Sequence, residues 1–350
     1  MILPDAVKGE ILKAAVLAPS ADNSQPWRYK WLQDSLALYR DANFSGSATD
    51  SSFVLTDLAI GCVIENIVLA AAQYGYAVAV NYFPEGELSL LSARLTFSPN
   101  QPISNTQLEN KLAQQIEKRC TDRRLPFSGS LSASNIAVLQ SAINCEHIKL
   151  YCYTQRKQIY ALAAIIRQAE AVRFKSPSLH HELFSTVNFS EPSPKQGMTP
   201  AILGIELPAR PFFRLISNWS AMKWLNYVGA AAMVAARSVT LPIRLSPALV
   251  AITTSQTNRV GIMTAGRQLE RVWLAATAEG LAVHPYAAPG VLTLAKPELG
   301  SELDAELSQV QMALKQHFSE QNVVMFLRLG YKNGKPARSA RRNVTELELT

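Results

Sequence analysis

One stretch of this chain occurs twice. GCVIENIVLAAAQYGYAV begins at Gly61 and GRQLERVWLAATAEGLAV begins at Gly266. Eight of the eighteen ungapped positions are identical, among them Glu65 and Glu270, Leu69-Ala70-Ala71 and Leu274-Ala275-Ala276, and Gly75 and Gly280 with the Ala-Val that follows each. Small residues recurring in a helical pattern predict two long helices that approach closely. Each is stopped by glycine and followed by a strand. A helix-then-strand unit used twice implies a duplicated domain. Any two amphipathic helices ending in glycine look somewhat alike, but eight identities exceed that baseline.

The 350 residues are 48% hydrophobic, enough for two domains or one large intertwined core. Charged residues make up 17%, which argues against global disorder, and the net charge of +7 permits an anionic ligand without announcing nucleic acid. Cys62, Cys120, Cys145 and Cys152 form no CxxC pair. With Cys62 and Cys120 in helix-like runs, they read as reduced, buried thiols of a cytoplasmic protein. MILPDAVKGE carries an early Asp and no sustained apolar run, so no signal peptide is expected. The run Trp219 to Val239 contains Lys223 and Arg237 and reads as a buried or lid helix, not a membrane span. The five histidines show no metal spacing, and no metal is expected.

Helices are predicted at about 5–18, 53–74, 105–117, 155–172, 211–238, 258–279 and 301–317. Strands are expected at WRYKW and LALYR around a polar turn at Gln33–Ser35, and at YAVAVNYF, LSARLTFS, 147–153, PALVAITTS, LAVHPYA and NVVMFLRLG. The 174–210 stretch, rich in Ser, Pro, His and Asn, is read as loops and short helices.

Four motifs carry the chemistry. APSADNSQPW, at 18–27, is a dense polar loop; taken alone it is an ordinary capping loop, or a surface whose backbone N–H groups and Asn23 amide suit a flat heterocycle. KRCTDRRLPF, at 118–127, places Arg119, Thr121 and Arg123 at alternate positions. In an extended loop all three face one side, and forked guanidinium donors suit phosphate. From Lys332 to Arg342 there are five basic residues and no acid. GYKNGK within this tail is not a Walker loop, since its glycines are too close together. Finally, HPYAAPG follows the second repeat helix.

The first of these closely resembles the Ala-Pro-Ser-x-x-Asn-x-Gln-Pro-Trp loop of the nitroreductase-like flavoproteins. KRCTDRR resembles that family's Arg-x-Ser-x-Arg/Lys motif, with Thr121 in place of Ser. The resemblance implies an α+β fold with two related halves, mainly antiparallel sheets and long packed helices. It also implies FMN as cofactor. Pro19, Ser20, Ala21 and Asn23 would lie at the flavin, with Gln25 and Trp27 supporting the loop. Arg119 would hold the phosphate, with Thr121 beside it, and Arg123 would face the flavin N1 and C2 carbonyl. Pro285, Tyr286 and Ala287 would offer main chain near N5, and Arg338 and Arg341 would return to the phosphate. Three charge-assisted hydrogen bonds give roughly 5–9 kcal/mol, while micromolar to nanomolar binding needs about 8–12, so the ring must be buried as well.

The N-terminal half has the Pro-Ser loop and no arginine motif ahead of it; the C-terminal half has the arginine motif and no second Pro-Ser loop, SASNIAVLQ being a faint shadow. The resemblance therefore implies the fused, twin-domain branch: a pseudodimer within one chain, with one intact site made by both halves. Halves are expected at 1–100 and 101–350, with a lid-like insertion at about 174–245. The implied activity passes hydride from NAD(P)H through FMN to a nitroaromatic or quinone-like small-molecule acceptor by a ping-pong cycle, with no protein general acid or base. A flavin-sequestering protein without turnover is the alternative, and a basic nucleic-acid binder ranks far behind. No nucleic-acid or membrane partner is expected, and a further homodimer is left open.

Overall fold

The computed structural model describes residues 3–99 and 107–349. The expected boundary between 100 and 101, and the expected helix start at Asn105, lie outside the described residues. The chain opens with α1 (Asp5–Val16), β1 (Trp27–Trp31), β2 (Ser35–Arg40), α2 (Val54–Gln73), β3 (Tyr76–Tyr82) and β4 (Leu91–Pro99). Then come α3 (Gln107–Ala113), α4 (Ala133–Ser141), β5 (Ile148–Tyr153), α5 (Arg156–Lys175) and α6 (Pro177–Ser185). Four short helices follow: α7 (Arg210–Ile216), α8 (Trp219–Asn226), α9 (Ala230–Ala235) and α10 (Leu241–Arg244). The remainder is β6 (Ala248–Thr254), α11 (Arg259–Ala278), β7 (Ala282–Tyr286), α12 (Ala288–Ala295), α13 (Ser301–Phe318), β8 (Asn322–Gly330) and α14 (Val344–Leu347).

The strands form two antiparallel four-stranded sheets, β1-β2-β4-β3 and β5-β6-β8-β7. The order is the same in both, and in each a long helix joins the second strand to the third: α2 in one, α11 in the other. The fold is thus α+β with two related halves. β6 is buried along its whole length, and Val250 and Ile252 join Leu36, Leu38 and Leu95 of the first sheet in one continuous core. Among the described residues one helix, α2, is long and apolar enough to cross a membrane by composition, but it is almost entirely buried in the protein.

The repeat glycines explain how α2 and α11 meet. A Cβ on Gly61 would lie 2.1 Å from the Met263 carbonyl oxygen, and one on Gly266 would lie 2.2 Å from that of Leu58. Leu58 and Met263 occupy matching places in the repeat. Each helix therefore presses its backbone into the glycine of the other, about a local two-fold. Gly75 and Gly280, at φ +77° and +70°, terminate the pair; a Cβ there would meet nothing, so their role is the left-handed turn itself.

Several expectations need correction. The expected single helix over 211–238 is broken into α7, α8 and α9, the last continuing through a π-helical turn at Ala236–Thr240 into α10. Asn218 caps α8 through Ala221 N–H, Gly229 turns left-handed at φ +84°, and Asn226 accepts from Ala231 N–H at the start of α9. These helices hold their own small core, with Phe174, Phe184, Ile216 and Met222 buried. SASNIAVLQ is no echo of the Pro-Ser loop: Ser132 and Asn135 form a capping box that starts α4. The helix of the 105–117 region ends at Ala113. Cys120 lies outside any helix, and Cys120, Cys145 and Cys152 are only partly buried; all four cysteines are free. α12 has no counterpart in the sequence reading. Pro289 sits in its first turn, where a missing N–H costs nothing.

Candidate functional site

A cavity of about 1020 Å³ lies between the two halves. That is the upper end of the usual range for ligand sites. Pro19, Ser20, Ala21, Asn23, Arg119, Thr121, Arg123, Pro285, Tyr286, Ala287, Arg338 and Arg341 all line it. Gln25 and Trp27 do not; both are fully buried behind the loop.

The 19–27 loop owes its shape to chain that arrives much later. Asp22, Asn23 and Gln25 all have positive φ, at 50°, 56° and 50°. Asn tolerates this conformation, but each such residue costs on the order of 1 kcal/mol unless its surroundings hold it. Here they do. Asn23 Nδ2 donates to the carbonyls of Lys195 (3.2 Å), Gly197 (3.4 Å) and Ala340 (3.0 Å). Gln25 Nε2 donates to Lys195 O at 2.7 Å, while its Oε1 accepts from Arg342 N–H at 2.9 Å. Ser20 Oγ accepts from Gln25 N–H at 2.9 Å. The chain end is tied in too: Leu349 N–H donates to Tyr29 O, and Glu348 pairs with Tyr29 in a parallel bridge on β1.

The arginine segment runs alongside β7. Thr121 and Val283 form a parallel bridge, and Asp122 N–H donates to Val283 O at 2.8 Å. This extended course turns Arg119, Thr121 and Arg123 into the cavity, whereas Asp122 points away and holds Arg124. Arg328 of β8, fully buried, braces the segment from behind. Its Nη2 donates to the carbonyls of Asp122 and Arg124, its Nε meets His284 Nδ1 at 3.0 Å, and its guanidinium lies over the Phe127 ring. Burial, with Arg328 and Arg123 nearby, drives the His284 pKa well below its ordinary value. The HPYAAPG stretch is a strand end running into a helix rather than a free loop: Pro285 and Tyr286 finish β7, and Ala287 immediately precedes α12.

Six arginines line this space: Arg119, Arg123, Arg173, Arg237, Arg338 and Arg341. Arg119 is the most committed to protein. Its Nη2 donates to Leu17 O at 2.8 Å, its Nε lies 3.1 Å from Glu270 Oε1, and its guanidinium covers the Trp273 ring at 4.6 Å. Arg338 Nη2 donates to the carbonyls of Glu117 and Arg119. Arg123 Nη1 donates to Ile202 O at 3.3 Å. Arg341 Nη1 donates to Asn23 Oδ1, and its Nε is buried with no partner. Trp273 Nε1 is likewise buried without one. Burial, reinforced by repulsion from Arg119, lowers the Arg341 pKa to about 10. Burial raises Glu270 to about 7 against the attraction of Arg119. Clustered, partly desolvated cations with idle donors are what an anionic, acceptor-rich ligand requires.

The sequence reading missed Asp22, Arg173, Glu270, Trp273 and Arg328. Glu270 was visible only as the repeat partner of Glu65. Asp22 sits within the Pro-Ser loop itself, whereas Arg173 and the 174–245 wall reach the cavity through tertiary packing alone, with Phe212, Phe213, Met233 and Val234 among its lining. Among the described residues no group of His, Cys, Asp and Glu is placed to hold a metal.

The fold and site define a two-halved α+β protein with an arginine-rich, ligand-sized cavity, also lined by several acids, at the junction of its halves. No family model matches the chain. It is 24% identical over 308 residues to a Mycobacterium tuberculosis protein named "Putative NAD(P)H nitroreductase Rv3131", covering 87% of this chain and 83% of that one. It is 26% identical over 286 residues to "Putative NAD(P)H nitroreductase acg" of the same organism, covering 81% and 80%. "Uncharacterized protein MT1398", also from that organism, is 24% identical over 283 residues, but the chain spans only 39% of its length. Among solved structures, an iodotyrosine deiodinase bound to FMN and 3-iodo-L-tyrosine aligns at TM-score 0.35 and 14% identity, over 66% of this chain and 95% of that one. A Bacteroides fragilis nitroreductase with bound FMN aligns at TM-score 0.37 and 14% identity, over 67% and 95%. The chain is thus similar along most of its length to relatives that carry the nitroreductase name.

Proposed function

We propose that this protein is an FMN-dependent oxidoreductase that takes reducing equivalents from NAD(P)H and delivers them to a small nitroaromatic or quinone-like acceptor. The observation that carries the reading is convergence: four segments remote in sequence, at 19–23, 119–123, 285–287 and 338–341, line one cavity. The residues fit the group. The idle Nε–H of Arg341 and Nε1–H of Trp273 lack acceptors, and the cavity is large enough for a tricyclic ring with a phosphorylated side chain.

In this assignment Arg119, Arg338 and Arg341 hold the phosphate, and Thr121 adds a hydroxyl. Pro19, Ser20, Ala21 and Asn23 form one wall of the ring site, and the main chain of Pro285, Tyr286 and Ala287 borders the other. When bound, FMN supplies the hydride chemistry. The protein's part is to orient, to exclude water and to place Arg123 where a cation favours the reduced ring. The halves are assigned as 1–100 and 101–350, with 174–245 as a wall limiting access.

That wall also supports a second reading, a flavin-holding protein with no turnover. One experiment separates the two. The purified yellow protein is mixed with NADPH without oxygen and its visible absorbance followed. Bleaching within seconds, restored by a quinone, is the expected result; a colour that persists, with FMN identified as the chromophore, would favour storage.

A further inference from the structure

We propose that the outer face of residues 207–245 docks onto an anionic lipid surface, bringing the cavity mouth to apolar acceptors dissolved there. The proposal rests on the reading above for the acceptor, though not for the docking itself. It departs from the sequence reading, which expected no membrane partner.

Three observations converge. First, large apolar side chains stand out in water here. Trp224, Tyr227 and Val228 are 75%, 77% and 80% exposed, on adjoining turns where α8 runs into the left-handed Gly229. Leu207, Leu215 and Met233 are exposed on the same segment. α8 buries Met222 on one side and presents Lys223, Trp224 and Tyr227 on the other. Nothing among the described residues covers these rings. Second, the charge is predominantly positive. Residues 207–245 contain Arg210, Arg214, Lys223, Arg237 and Arg244 and no acid, although Arg237 is paired with the neighbouring Glu206. Third, the face is continuous with the site, because Phe212 and Met233 are partly exposed and also line the cavity.

Trp and Tyr seat at a membrane interface, apolar body inward and polar tip in the headgroups, while Lys and Arg meet anionic lipid. A second copy of the chain fits less well. A two-fold contact through this face would set Arg214 and Lys223 of both copies against one another.

The test mixes the full-length flavin-loaded protein with phosphatidylcholine vesicles, with and without phosphatidylglycerol, and measures co-flotation. Binding should require phosphatidylglycerol and fade at high salt. Trp224→Ser with Tyr227→Ser, and separately Arg214→Glu with Lys223→Glu, should each lower partitioning at least roughly tenfold. Neither pair lines the cavity, so the melting temperature and the reduction of a water-soluble quinone should stay as in the parent. The proposal is overturned by absence of flotation with the anionic vesicles, or by variants that float as well as the parent. It is also overturned by a vesicle-independent dimer that the Trp224→Ser, Tyr227→Ser variant breaks. Loss of NADPH-driven quinone reduction with flotation intact would instead count against the enzymatic reading and leave the docking face standing.

Discussion

Arg119 and Glu270 form the most consequential single pair in the site. Both are buried, and burial raises the Glu270 pKa to about 7 from an ordinary 4.5. A carboxyl whose folded pKa is raised binds more protons folded than unfolded, so its contribution to stability declines as pH climbs from about 4.5 to about 7 and is flat beyond. The decline should be of order 3 kcal/mol. It should vanish from the pH dependence of apoprotein unfolding in Glu270→Gln, even though that variant is less stable overall. For the same reason Arg119→Ala is a poor probe of phosphate binding: it strands a buried acid, at a cost of about 3–5 kcal/mol. Arg341→Ala is cleaner. Loss of a charge-assisted contact should weaken FMN binding by roughly ten- to hundredfold, read from flavin fluorescence titration. The twelve residues named from sequence all line the cavity, and they could be picked out because loop motifs are local. Glu270 and Arg328 were not, because a buried charge on a helix or strand is recognisable only by what packs against it.

The central helix pair shows how a sequence pattern becomes a distance. Gly61 and Gly266 stood out as repeat positions, and the spacing of small residues predicted close approach. What could not be read was that each glycine faces the other helix's main chain. Gly61→Ala or Gly266→Ala should therefore force the helices apart and cost about 3 kcal/mol in urea unfolding. Gly75→Ala should cost only about 1, since it meets no neighbour and strains the turn alone. Equal losses at both kinds of site would contradict this account. The long periodic helices and most strands were legible. The 211–238 region was not, because a run of apolar residues hides the caps of Asn218 and Asn226 and the turn at Gly229, and its partition into short helices depends on the small core beneath them.

Over the whole molecule, the duplication is preserved in architecture but not in the side chains at the two matching places. By the repeat offset, Cys62, Ala287 and Ala288 on the cavity side match Arg267, Tyr82 and Phe83 on the other. Arg267 there donates to Glu65 at 2.8 Å and to the Tyr82 hydroxyl at 3.3 Å, and Arg259 lies over Phe83. Large side chains stand where the open site has small ones. Protein-to-flavin stoichiometry, from the absorbance of released FMN, should accordingly be one per chain; a value of two would disprove the loss of the twin. The bracing of the early loop by residues 340–342 has a temporal corollary. On a ribosome, Asn23 and Gln25 emerge long before the strand of chain that fixes them. The wall formed by residues 19–23 thus sets only once residues 340–342 have been made, and any ligand held against it is taken up after that point.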